Sequence, residues 1–197
     1  MYRRAIDCDP SLQRAYYWLH LVRKKQGRLA DAIAAQREQI ENLPAVAFPY
    51  LAYATLLRDA GRFEEAIPVF QHAAASQLDN HRVMHQIAWA LAEDTKTATP
   101  KNAKWAVELA STAKGTDSAF GLLALGAGHY RTGDWPAALE ALQEALDCQG
   151  WSKWSVTTRV SRANARCFQA MAAFQTGDAK QASESLRHAE RELGSRA

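Results

Sequence analysis

Cysteine is scarce in this chain of 197 residues: Cys8, Cys148 and Cys167 are odd in number and far apart, with neither a CxxC pair nor zinc spacing. That pattern excludes a disulfide framework and a cysteine metal centre, and leaves the thiols as small apolar residues. Blocks of like charge are also missing. The 24 lysines and arginines are interspersed with 21 acidic residues, so the net charge of +3 gives little basis for a nucleic-acid partner, and none is expected. The longest apolar run, "AFGLLALGAG" at 119–128, is about half the length a membrane-spanning helix requires, so no membrane crossing is expected. The opening residues "MYRRAIDCDP" lack the apolar core of a secretion signal, which makes a reducing cytoplasm the expected compartment.

Catalytic signatures are absent as well. The chain has no Gly-rich phosphate loop, no G-x-S-x-G and no HExxH, and nothing in it pairs a nucleophile with a base. The expectation is a protein without catalysis of its own and without a cofactor. One pair has metal-ligand spacing, His81 and His85 in "HRVMH". A zinc site needs three or four ligands, so no metal is expected there and the pair reads as solvated or facing a groove.

What the chain has in quantity is apolar helix-forming sequence. It is 48% hydrophobic and 23% charged, the profile of a folded protein. In "LGAGHYRTGDWPAALEALQEAL", Leu125 to Leu146, a Gly-Asp pair interrupts one long amphipathic pattern. Glycine costs about 1 kcal/mol against alanine inside a helix, so two helices meeting at a turn is the better reading. Asp134 then caps the second helix, and Pro136 sits in its first turn.

The same skeleton recurs as "GRLADAIAAQ" from Gly27, "GRFEEAIPVF" from Gly61, "GDWPAALEAL" from Gly133 and "GDAKQASESL" from Gly177. Gly27 and Gly61 stand 34 residues apart, and Ala32 and Ala66, like Tyr16 and Tyr50, keep that interval. A period of 34 built on this skeleton resembles the tetratricopeptide repeat. The match is most specific at Leu125, Gly126, Gly133, Trp135, Ala138, Leu142 and Ala145, and at Tyr16, Leu19, Gly27, Leu29, Ala32 and Pro44. Among members of that family, the chain is similar to repeat regions of bacterial multidomain proteins, including serine/threonine kinase tails.

The resemblance implies an all-α, right-handed superhelical solenoid of antiparallel helix pairs: about five repeats behind a leading half-repeat, forming a single domain over 1–197. Helices are expected near 2–8, 11–25, 28–42, 46–60, 62–76, 80–93, 100–114, 117–131, 134–147, 157–175 and 178–194. The third unit lacks the turn glycine. Ala66 to Ala106 spans 40 residues and Gly133 to Gly177 spans 44, which puts insertions around "EDTKTATPKN" and around "CQGWSKWSVTTRV", the latter carrying Trp151 and Trp154. Thr99 and Pro100 make a helix start in the first of these. The final helix is expected to bury Ala182, Leu186, Ala189 and Leu193 and to act as a cap. The truncated first repeat suggests a piece of a longer protein.

In the family, the first helix of each pair lines a concave surface. Carried onto this chain, the groove holds Arg14, Tyr17, Phe48, Arg58, Arg82, His85, Trp89, Tyr130, Arg131 and Phe174. This set is aromatic with a positive rim and implies a protein or peptide partner, acidic and carrying apolar anchors. The places that would hold the asparagines of a carboxylate clamp are instead Trp18, Ala52, Ala124 and Phe168, with Gln86 in the third unit, which argues against that mode. The main functional expectation is therefore a protein-interaction scaffold. Two alternatives stand beside it: a non-catalytic regulatory or substrate-recruiting region of a larger enzyme such as a serine/threonine kinase, and a module that self-associates through its N-terminal face.

Overall fold

The computed structural model describes residues 1–44, 48–76, 81–93, 95–96, 98–112, 119–148 and 156–194, with only the backbone of 81, 82, 112 and 156–159. Among these residues every regular element is an α-helix. In chain order they are α1 (Tyr2–Cys8), α2 (Gln13–Lys25), α3 (Leu29–Asn42), α4 (Phe48–Asp59), α5 (Phe63–Ala75), α6 (His81–Glu93), α7 (Pro100–Thr112), α8 (Ala119–Thr132), α9 (Trp135–Asp147), α10 (Val156–Gln175) and α11 (Ala179–Gly194). Each lies within two residues of its position in the periodicity map.

The turns explain the spacing. Gly27, Gly61, Gly133 and Gly177 all have positive φ, between 72° and 84°. At Gly133 the chain leaves α8 in a Schellman turn: Asp134 N–H donates to the His129 carbonyl (3.0 Å) and Gly133 N–H to that of Tyr130 (3.2 Å). Asp134 Oδ1 then accepts from Ala137 N–H at 3.3 Å, capping α9, with Pro136 in its first turn. The start of α7 is built on the expected pair, since Asn102 N–H donates to Thr99 Oγ1 (3.3 Å) just ahead of Pro100.

The chain forms two compact units, Met1–Val83 and Met84–Ala197. In the first, α1 to α5 pack in sequence, each on its neighbour. Its N-terminal core is Ile6, Ala15, Tyr16, Leu19 and Ala35, with Tyr2 and Ala5 against it. The Tyr16 hydroxyl accepts from Asn42 Nδ2 at 2.8 Å, so the phenol's polar end is satisfied inside the repeat.

In the second unit α7 packs on α8, α8 on α9, and α10 on both of those and on α11. Small residues set the approach: a Cβ at Gly121 would enter the His85 ring, and one at Gly126 would enter Leu142. The last helix departs from the expected face. Ala182, Ser185 and Ala189 are buried, whereas Leu186 and Leu193 are exposed. Polar contacts set this roll, with Ser185 Oγ donating to Gln169 Oε1 (3.0 Å) and Arg162 pairing with Glu192 (2.8 Å). Trp151 and Trp154 lie outside the described residues.

Candidate functional site

In the first unit, Arg14 and Tyr17 lie one helical step apart on α2, and Phe48 opens α4. Tyr17 is 39% exposed, Trp18 43% and Phe48 50%, so three aromatic rings are left partly in solvent. They form one patch. The Tyr17 ring centroid lies 5.4 Å from Trp18, 5.4 Å from His20 and 6.2 Å from Phe48. Three neighbouring large aromatics left wet is the kind of surface that marks a contact site.

Beside this patch α2, α3 and α4 form an open pocket of about 170 Å³ whose lining includes Arg14, Tyr17, His20, Gln36, Gln39 and Phe48. His20, Gln36 and Gln39 are all buried. His20 Nδ1 lies between Gln36 Nε2 (2.9 Å) and the Tyr16 carbonyl oxygen (3.3 Å), so this edge of the ring is engaged within the unit and Nε2 is on the opposite edge. Burial holds the His20 pKa below its ordinary value, which keeps the ring neutral near pH 7. The Gln39 carboxamide has no hydrogen-bond partner among the described residues. It is 4% exposed and lines the cavity.

The positive rim is thinner than the sequence implied. Lys24 Nζ pairs with Asp59 Oδ2 at 2.6 Å, and Arg58 Nη2 with Asp59 Oδ1 at 2.9 Å. Burial by itself would raise the Asp59 pKa, but the hydrogen bonds from Lys24 and Arg58 outweigh it and hold the carboxyl below its usual value. The candidate rim cation Arg58 therefore shares one carboxylate with Lys24. Arg14 is exposed and has no ion pair among the described residues.

In the second unit the candidate residues are more deeply engaged. His85 is buried and packs over Gly121. The half-buried Trp89 ring stands 6.1 Å from Phe120 and 5.9 Å from Phe168, and Tyr130 stands 5.7 Å from Phe168. Arg131 covers this cluster, its guanidinium carbon 5.7 Å from the Tyr130 centroid and 5.5 Å from that of Phe168. The same guanidinium donates through Nε to the Ala92 carbonyl (2.9 Å) and through Nη2 to the Glu93 carbonyl (3.0 Å), closing the end of α6. Phe174 is 70% exposed near the end of α10. The Arg82 side chain lies outside the described residues.

The buried polar floor of His20, Gln36 and Gln39 is a feature that sequence reasoning missed. A signal was available: Gln36 and Gln39 fall in register with Ala32 and Ala35 on the buried face of α3, where apolar residues are the rule. Among the described residues no three His, Cys, Asp or Glu side chains are grouped to hold a metal ion, and no helix is long and apolar enough to cross a membrane. Burial raises the pKa of the Cys167 thiol, so it is protonated near neutrality and a poor nucleophile.

No family model matches this chain, and no curated protein matches it. Solved structures do. MamA residues 41 to end from Desulfovibrio magneticus RS-1 superposes with a TM-score of 0.66 at 15% identity, covering 93% of this chain and 96% of that one. YrrB, described as a TPR protein with an unusual peptide-binding site, gives 0.61 at 14% identity over 99% and 93%. BtubC from P. vanneervenii gives 0.68 at 18% identity over 98% and 85%. The fold is that of a tetratricopeptide-repeat protein, all-helical and built of repeated helix pairs.

Proposed function

We propose that this protein is a non-catalytic interaction module that holds a segment of another polypeptide against the α2–α4 face of its first unit. The observation that carries this reading is the exposed Tyr17, Trp18 and Phe48 patch beside a cavity with a polar floor. Solvent-exposed aromatics are costly to leave idle and supply rigid anchoring area at low entropic cost. The partner segment is acidic with apolar anchors, because Arg14 stands at this patch as a cation with no carboxylate partner among the described residues. YrrB's description as a peptide-binding repeat protein supports the same use of this fold. Trp89, Tyr130 and Arg131 support the second unit mainly by packing, and exposed Phe174 is the candidate contact there.

The test is selection of a displayed random-peptide library on the purified chain, repeated with Tyr17→Ala and Phe48→Ala. Enriched peptides should carry acidic residues around one or two large apolar residues and be lost on both variants. Selected peptides that bind the variants as well as the parent chain would place the working surface elsewhere. Light scattering across a dilution series tests self-association separately: a mass that falls on dilution would favour the self-associating reading.

A further inference from the structure

We propose that the cavity between α2, α3 and α4 is a subsite for one tyrosine side chain of the partner, flanked there by an acidic residue. The inference rests on the interaction reading above and names the anchor it selects. The cavity, at about 170 Å³, is below the roughly 300–1,000 Å³ typical of small-molecule sites, and it suits one ring-sized side chain. Its walls are aromatic, Tyr17 and Phe48, which favours a ring as occupant.

The floor decides which ring. Gln39 offers an unpaired carboxamide with both donors and an acceptor, and His20 offers Nε2, which donates or accepts according to its tautomer, since Nδ1 is engaged by Gln36 and the Tyr16 carbonyl. A phenylalanine or leucine in this place would strand those groups without partners and without water. A carboxylate would bring a full charge onto a neutral floor, which is penalised. A phenol both donates and accepts at a single atom and leaves no charge behind. Arg14 lines the same cavity but is exposed, so it can meet an acidic neighbour of the tyrosine in solvent.

The experiment is an amide-resolved NMR titration of the full chain with p-cresol and with toluene, the side chains of tyrosine and phenylalanine. We expect p-cresol to move the side-chain amides of Gln36 and Gln39 saturably, with a Kd at least about tenfold below that of toluene, although toluene is the more apolar probe. Gln39→Leu, an apolar replacement at a buried place that should keep the fold by thermal melt, should remove the preference. A blocked Asp-Tyr-Asp peptide should bind more tightly than p-cresol and lose that gain in Arg14→Glu, whereas p-cresol should be indifferent to Arg14→Glu. Equal affinities for the two probes, no saturable shift at the floor, or a preference that survives Gln39→Leu would each overturn the proposal. If the floor fails while library peptides still depend on Tyr17 and Phe48, only the subsite is removed and the interaction surface stands.

Discussion

Gly133 shows how a single residue carries the repeat. Its φ of 82° lies in the left-handed region, and a Cβ there would meet nothing within 4 Å, so any cost of substitution is paid by the backbone alone. Gly133→Val should destabilise by about 1–2 kcal/mol or more, since valine adds β-branching to the usual left-handed penalty. A thermal melt should show the midpoint falling by several degrees, and an unchanged midpoint would contradict the turn.

His20 acts at the same scale through protonation. Its folded pKa lies below the unfolded value of about 6.5, so above that pH the ring is neutral in both states and costs nothing. As pH falls below about 6.5 the unfolded chain takes up a proton that the folded chain resists, and stability is lost until the folded ring also titrates. Melts of the parent chain should therefore fall more steeply between pH 6.5 and 5 than those of His20→Gln. Parallel pH profiles would show that the ring is not shielded.

Among elements, α6 has its end closed by a side chain from elsewhere in its unit. Arg131 of α8 supplies two charge-assisted donors to the last carbonyls of α6, where a cation also meets the negative end of the helix dipole. Arg131→Gln should cost roughly 1.5–3 kcal/mol by urea denaturation, the range for hydrogen bonds to charged groups. An effect confined to partner binding, with stability intact, would return Arg131 to the groove where the repeat pattern placed it. The elements themselves were readily legible. Helix positions follow from apolar spacing and from glycine turns, both local, and "GDWPAALEAL" specifies turn, cap and first-turn proline within four residues. The roll of α11 was not legible: Ala182, Ser185 and Ala189 compete with Ala182, Leu186 and Ala189 for the same face. The choice fell to polar partners on α10, which no local pattern reveals.

For the molecule as a whole, the repeat logic is that no helix pair buries its apolar face alone. On that ground we propose that the chain unfolds as one domain, with calorimetric and van't Hoff enthalpies in agreement. Two resolved transitions would instead give Met1–Val83 and Met84–Ala197 separate stabilities. The modest net charge of +3 adds little long-range steering, so salt dependence of partner binding should report local charges such as Arg14.

Local sequence is enough to make this protein helical, to set where its helices start and stop, and to arrange them in repeated pairs. These are matters of propensity, capping and left-handed glycine, each decided within a few residues of chain. It also singled out Tyr17 and Phe48, whose exposed rings stand together on the first unit. Which cations remain available is a matter of packing. Lys24 and Asp59 are 35 residues apart in the chain, as Arg131 and Glu93 are 38 apart, and pairing at such range depends on how helices pack. The cavity floor belongs to the same category. Gln36 and Gln39 read as ordinary glutamines on a helix until α2 and α4 pack beside them, and burial then pairs the Gln36 amide with His20 and leaves that of Gln39 facing the pocket.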